Sequence, residues 1–180
     1  MKEQKIVYII PGFKQKPTHK AYRELAKMLK NQGYRPILLS IPWKERTISQ
    51  NTEYFLRRYH KIQTRKKYIL GFSFGAMIAF LASTKVSVSG LILCSLSPYF
   101  TEDVSSSSLH CATIAKQIKA KQILFLYGAK ETKSLIKRVT QAYDQISATQ
   151  KYLIPIKETD HNIGDRRYLQ TIHHVAKELI

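Results

Sequence analysis

Short runs of apolar residues recur along the chain, and longer segments with apolar residues at helical spacing separate them. The runs at 6–10, 36–41, 68–70, 91–94, 123–127 and 152–156 predict six β-strands. Because nearly every position in these runs is apolar, we expect strands that are buried on both faces. The pattern therefore predicts an α/β fold of about six mostly parallel strands with helices on both faces of the sheet.

The segments between the runs predict amphipathic helices. For the first of them, Thr18 is the predicted N-cap and Gly33 lies just after the predicted end. In the second, Thr47 and Gln50 have the spacing of a capping box. The predicted helices span 18–31, 47–61, 74–83, a short stretch near 112–118, the segment after the fifth strand, and the segment from about 165 onward.

Composition is consistent with one domain over 1–180, because 44% of the 180 residues are hydrophobic and no linker or repeat interrupts the pattern. The charge balance is unusual, since 30 Lys and Arg against 12 Asp and Glu give a net charge of +18. A field of this sign favours an anionic substrate or an acidic partner. The basic residues are scattered and no nucleic-acid-binding motif accompanies them, so a solvated basic surface is the simpler interpretation and nucleic acid is not the expected ligand.

The cysteines and the apolar stretches indicate a reduced, non-membrane setting. Cys94 ends an apolar run and is expected to be buried, and two cysteines are too few for a disulfide framework. The apolar stretch at 68–83 is interrupted by Gly71 and Gly75, and the run at 6–10 is shorter than the core of a signal peptide. We therefore expect no membrane span and a cytoplasmic location.

The sequence Gly71-Phe72-Ser73-Phe74-Gly75 lies between a predicted strand and a predicted helix. A serine at such a tight turn is held in a strained conformation with its hydroxyl exposed, and small residues are needed two positions to either side. Ser73 is therefore the candidate nucleophile. The alternative is a glycine-bounded turn whose serine only caps the helix.

A nucleophilic serine needs a base, and the base needs an acid to orient it. His161 follows the sixth strand and Glu131 follows the fifth, and in a parallel sheet the loops after the strands share one edge. These two residues are the candidate base and acid. Glu102 and Asp103, after the fourth strand, are rival acids. The plainer alternatives are an exposed loop histidine and a first-turn acid that the helix dipole favours.

Two backbone N–H groups are candidates for holding an oxyanion. One belongs to Phe74, directly after Ser73, and the other to Phe13, in the loop after the first strand. Gly12 in that loop permits close approach of the backbone to a substrate, although a plain turn is the alternative. No pair of histidines has the spacing of a metal site, so no metal is expected.

Together these motifs resemble those of the α/β-hydrolase superfamily, and the resemblance covers nearly the whole chain. It implies a single-domain α/β-hydrolase fold in which the family's N-terminal antiparallel strands are absent. It also implies a minimal cap, the short excursion at 95–121, whose Tyr99 and Phe100 would contact substrate. The matching motifs are Pro11-Gly12-Phe13, the Gly71–Gly75 sequence, Gly128-Ala129-Lys130-Glu131 and Asp160-His161, in the family's order of Ser, acid and His.

The resemblance implies a serine hydrolase that cleaves a carboxylic ester or thioester, a small-molecule substrate, without a cofactor. Lys14, Lys16, Lys130 and Arg166 neighbour the loops at the active edge and would favour an anionic leaving group. The alternative is a catalytically inactive protein of the same fold that binds an acidic partner or nucleic acid.

Overall fold

The computed structural model describes residues 4–44, 46–96 and 115–179, with side chains up to Lys177. Within these ranges six strands form one sheet. The strands are β1 (Lys5–Ile10), β2 (Tyr34–Leu38), β3 (Lys67–Phe72), β4 (Val88–Cys94), β5 (Ala120–Gly128) and β6 (Gln150–Ile156).

The same ranges contain five helices, and none of them is long and apolar enough to cross a membrane. The helices are α1 (Lys20–Asn31), α2 (Ile48–His60), α3 (Phe74–Lys85), α4 (Lys133–Gln145) and α5 (Arg166–Leu179).

The sheet has the strand order β2-β1-β3-β4-β5-β6, and every neighbouring pair is parallel. Side chains alternate across it, so that Ile6 and Tyr8 of β1 join one buried cluster and Val7 joins the other. The first cluster lies under α2, α3 and α4, and the second lies under α1 and α5. The predicted fold class, a sheet of six strands with helices on both faces, is confirmed.

All six strands begin before the apolar runs that predicted them, and β2 also ends earlier than predicted, at Leu38 instead of Ile41. β4 begins at Val88 and β5 begins at Ala120, and these two residues are paired in register. Polar residues such as Ser89 and Gln122 therefore belong to the ladder. The reason is that pairing is made by the backbone, which continues where side chains turn polar near the end of the sheet.

The helix starts follow local hydrogen bonding. Thr47 and Gln50 form the predicted capping box of α2. Helix α1 ends at Asn31 as predicted, but its predicted N-cap is wrong. The helix begins at Lys20, and its N-cap is His19, whose side chain makes no capping hydrogen bond. The His19 N–H donates to the Lys16 carbonyl at 3.0 Å, so Thr18 belongs to a turn that precedes the helix. Most of the 95–121 excursion, residues 97–114, lies outside the described residues, and so do the first three residues of the helix expected near 112–118. The remaining residues, 115–118, form a turn in which the Ile118 N–H donates to the Ala115 carbonyl at 3.3 Å.

The outermost strands of the sheet are β2 and β6, and each contains a proline. Pro36 lies in β2, opposite Val7 of β1, and Pro155 lies in β6, opposite Tyr127 of β5. Proline has no backbone N–H, so it is tolerated in edge strands and avoided in central ones.

Candidate active site

Ser73 lies at the turn between β3 and α3, with φ 55° and ψ −121°. Its N–H donates to the Cys94 carbonyl at 2.8 Å, which extends the β3–β4 ladder one residue past the end of β3. A positive φ is costly for a residue with a Cβ, so the surrounding structure must impose it. The Ser73 side chain makes no capping hydrogen bond, which argues against the alternative that it serves only as a helix cap.

The glycines of this turn are required by close packing. A Cβ at Gly71 would lie 2.4 Å from the Gly75 carbonyl oxygen. A Cβ at Gly75 would lie 2.2 Å from the carbonyl oxygen of Ile10, at the end of β1. The start of α3 is therefore packed closely against the ends of β1 and β3, and this packing fixes the position of Ser73.

His161 lies in the loop after β6 and reaches Ser73 across the sheet edge. Its Nε2 is 2.8 Å from Ser73 Oγ, although 88 positions separate the two residues. The imidazole packs against the Phe72 ring, with 5.1 Å between the ring centroids. The His161 side chain is 42% exposed. It is a loop histidine with solvent access whose ring is nevertheless held by contacts on two sides.

Glu131 contacts the other nitrogen of His161, with Oε2 3.1 Å from Nδ1. Its Oε1 accepts hydrogen bonds from the Gly128 N–H at 3.0 Å and from the Ser95 hydroxyl. The carboxylate precedes α4, whose N-cap is Thr132, so Glu131 does not act as a first-turn acid of that helix. The rival acids Glu102 and Asp103 lie outside the described residues.

The Glu131 carboxyl group is ionised in this environment. Burial by itself raises its pKa, but the hydrogen bonds from His161, Ser95 and the Gly128 N–H outweigh burial and lower the pKa below its ordinary value. An ionised carboxylate accepts a hydrogen bond from Nδ1–H, which leaves the lone pair of Nε2 directed at Ser73 Oγ–H. The arrangement can therefore remove a proton from the serine hydroxyl.

The loop after β1 is a tight turn beside Ser73. The Gln15 N–H donates to the Gly12 carbonyl at 3.1 Å. Phe13 and Lys14 lie between these two residues, and their N–H groups take no part in this hydrogen bond. The Gly12 N–H itself donates to Gln15 Oε1 at 3.1 Å and to Tyr22 OH at 3.0 Å. Of the two residues expected to act here, Phe13 retains an N–H at the tip of the turn, whereas the Gly12 N–H is engaged by the protein.

The second expected oxyanion donor, the Phe74 N–H, belongs to the first residue of α3. The first N–H groups of a helix have no partner within it. The Phe74 ring lies 5.4 Å from the Phe13 ring between centroids, so the two loops that carry the candidate donors are in contact.

Trp43 completes an aromatic cluster that the sequence did not predict. Its ring centroid lies 5.5 Å from that of Phe13 and 6.4 Å from that of Phe74, and Phe13 is 45% exposed. The sequence feature that could have indicated this cluster is an aromatic residue shortly after each of the first three strands. The residues expected to contact substrate from the excursion, Tyr99 and Phe100, lie outside the described residues.

The cations expected near the site differ in their contacts. Lys130 pairs with Glu158 at 2.5 Å, and Lys14 lies over the Phe13 ring with Nζ 5.1 Å from the centroid. Lys16 and Arg166 are exposed. Within the described ranges, no group of three or more His, Cys, Asp or Glu side chains is arranged to hold a metal ion.

No protein-family model and no curated protein matches the sequence. Solved structures of other proteins, however, have a fold similar to that of this chain. Mouse alpha/beta hydrolase domain-containing protein 10 superposes with a TM-score of 0.84 over 99% of this chain and 91% of its own, at 14% identity.

Two microbial enzymes give similar superpositions. A dienelactone hydrolase from Anabaena variabilis has a TM-score of 0.75 and 17% identity, over 99% of this chain and 86% of its own. A monoacylglycerol lipase from Paleococcus ferrophilus has a TM-score of 0.79 and 12% identity, over 96% and 92%. The chain therefore has the α/β-hydrolase fold.

Proposed function

We propose that the protein is a serine hydrolase that cleaves a carboxylic ester or thioester through an acyl-enzyme on Ser73. The observation that carries this proposal is the hydrogen-bonded line from Ser73 Oγ to His161 Nε2, at 2.8 Å, and from His161 Nδ1 to Glu131 Oε2, at 3.1 Å. The similar solved structures include hydrolases and a lipase, which supports the same chemistry.

In the first half-reaction Ser73 Oγ attacks the carbonyl carbon of the substrate while His161 Nε2 takes the hydroxyl proton. The N–H groups of Phe74 and Phe13 stabilise the tetrahedral oxyanion. His161 then gives its proton to the leaving alcohol or thiol, and the acyl group stays on Ser73. In the second half-reaction a water molecule repeats these steps, which releases the acid and restores the hydroxyl.

The aromatic cluster of Phe13, Trp43 and Phe74 supports an apolar acyl group. A ring that is 45% exposed, beside the candidate nucleophile, gives an acyl chain or an aryl group apolar surface to cover. Exposed Lys16 and Arg166 near the same edge, with the net charge of +18, support an anionic leaving group.

A fluorophosphonate probe tests the proposal, because it phosphonylates an activated serine and spares an ordinary one. We expect stoichiometric labelling of the peptide that contains Ser73, found by mass spectrometry, and no labelling of Ser73→Ala. Ser49→Ala, which removes an exposed hydroxyl on α2, is the matched control and should label like the wild type. Folded wild-type protein that stays unlabelled and hydrolyses no ester would contradict the proposal and favour a non-catalytic binding protein.

A panel of p-nitrophenyl esters and matching thioesters then defines the substrate class. We expect kcat/KM to rise with the apolar surface of the acyl group, because each additional buried methylene contributes about 0.8 kcal/mol. An unchanged kcat/KM from acetyl to longer acyl groups would contradict the role given to the aromatic cluster.

A further inference from the structure

Ser95 occupies on β4 the position that Ser73 occupies on β3. Each serine directly follows the last residue of its strand, and these last residues, Phe72 and Cys94, are paired in register. Both serines have a positive φ, 55° at Ser73 and 47° at Ser95. The Ser95 N–H donates to the Leu126 carbonyl at 2.7 Å, as the Ser73 N–H does to Cys94. In both cases one backbone hydrogen bond continues the ladder past the end of the strand and holds the serine side chain at the sheet edge.

The Ser95 hydroxyl is fully buried and belongs to a chain of hydrogen bonds. Its single proton is donated to Glu131 Oε1, because an ionised carboxylate can only accept. Tyr168 OH lies 2.7 Å from Ser95 Oγ and can therefore act towards it only as donor. The Tyr168 hydroxyl also lies 3.2 Å from the Leu126 carbonyl oxygen. Burial raises the pKa of Tyr168 well above its ordinary value, so the phenol keeps the proton that it donates.

The two oxygens of Glu131 have different partners. Oε1 accepts from Ser95 and from the Gly128 N–H, and Oε2 faces His161 Nδ1. Rotation of the carboxylate would break the bonds of Oε1 and the contact of Oε2 together. The donors on Oε1 thus fix the direction of the oxygen that His161 uses, and successive hydrogen bonds in such a chain strengthen one another.

We propose that Ser95, supported by Tyr168, is a positioning residue that holds Glu131 Oε2 against His161 Nδ1. This role rests on the proposed serine hydrolase function. Ser95 contacts neither substrate nor reacting atoms, and it acts through the orientation of the carboxylate. Loss of the Ser95 hydroxyl lets the carboxylate turn and weakens the preference of His161 for the tautomer with its proton on Nδ1.

Kinetics of two hydroxyl deletions test this role. Ser95→Ala should lower kcat by roughly 10- to 100-fold with little change in KM, because a hydrogen bond to a charged group is lost. Tyr168→Phe should lower kcat by about 3- to 10-fold, because it acts only through Ser95. The double variant should be no worse than Ser95→Ala alone, since both belong to one chain of bonds.

Matched controls separate positioning from general damage to the core. Ser83→Ala removes another fully buried serine hydroxyl, which donates to the Phe80 carbonyl at 2.7 Å on α3. Tyr59→Phe removes the hydroxyl of a buried tyrosine, which donates to the Ser87 carbonyl at 2.8 Å. Both controls should keep the wild-type kcat. If Ser95→Ala keeps it as well, the positioning role is wrong.

A spectroscopic measurement does not depend on turnover. In protein with ¹⁵N-labelled histidine, above the pH at which histidine is protonated, the His161 signals should report one tautomer in the wild type and a mixture in Ser95→Ala. His161→Gln assigns the signals, and Ser83→Ala should match the wild type. An unchanged tautomer in Ser95→Ala overturns the positioning role. Absence of hydrolysis by the wild type would overturn only the proposed function.

Discussion

At the scale of single residues, Glu131 shows how burial and hydrogen bonding compete. Its side chain is 1% exposed, and burial disfavours the ionised form. Donors from three different segments, at Ser95, Gly128 and His161, compensate and keep it ionised. The carboxylate is therefore part of the stability of the fold as well as of the candidate chemistry.

This balance predicts a pH-dependent contribution to stability. Because the pKa of Glu131 is lowered on folding, its stabilising contribution is present above the ordinary pKa of glutamate and is lost as pH falls through the folded-state value. Glu131→Gln should lower the free energy of unfolding at neutral pH by about 1–3 kcal/mol. The difference from wild type should shrink in acid.

Urea unfolding at a series of pH values measures both proteins. Glu53→Gln, which removes an exposed partner of Lys85, is the control and should change the free energy of unfolding by less than about 1 kcal/mol. A Glu131→Gln deficit that stays constant with pH would rule out this account of the carboxylate.

At the scale of elements, the approach of α3 to β1 sets the geometry around Ser73. A Cβ at Gly75 would collide with the carbonyl oxygens of Ile10 and Pro11, so the helix begins in direct contact with the loop that carries Phe13. Gly33, after α1, differs because its φ is +86° and nothing lies within 4 Å of the place that a Cβ would occupy. The first glycine is required by space and the second by backbone conformation.

Alanine at these two glycines should therefore have different effects. Gly75→Ala should lower the free energy of unfolding by about 3 kcal/mol or more, because backbone atoms must move, and it should also abolish labelling of Ser73. Gly33→Ala should lower it by only about 1–2 kcal/mol and leave labelling intact. Thermal unfolding and probe labelling of both variants provide the comparison, and equal effects on labelling would contradict it.

The elements also explain what the sequence could predict. Ser73, Glu131 and His161 could be expected to meet because the loops after parallel strands lie at one edge, and this needs only the order of the strands. Ser95 and Trp43 could not be found in this way. The contacts of Ser95 depend on which residue continues the hydrogen-bond ladder past the end of β4. The contacts of Trp43 depend on how two loops pack. Local hydrophobic periodicity predicts neither. Thr18 is not the N-cap of α1, because it belongs to a turn that ends at His19 before the helix begins.

At the scale of the whole molecule, the positive charge is distributed over the surface. The net charge is +18, and many of the cations are exposed on α1, on α2 and in the loops at the sheet edge. A field of this kind acts over about 10 Å at 0.1 M salt and over a shorter range at higher salt. It attracts any anionic substrate before specific contacts form.

The expected consequence is a salt-dependent preference between substrates. For an ester with a sulfonated leaving group, kcat/KM should fall by about 3- to 10-fold as ionic strength rises from low to high. The matching neutral ester should show almost no change. Initial rates for the two esters across a salt series measure this, and parallel salt dependences would mean that the charge does not act on substrate capture.

The prolines of the two outermost strands have a consequence for behaviour at high concentration. Pro36 and Pro155 each remove a backbone N–H donor and fix φ. A strand from another molecule that approaches β2 or β6 therefore meets an interrupted row of backbone hydrogen-bonding groups. Resistance to intermolecular β-aggregation is thus built into the strands themselves and does not require a covering segment.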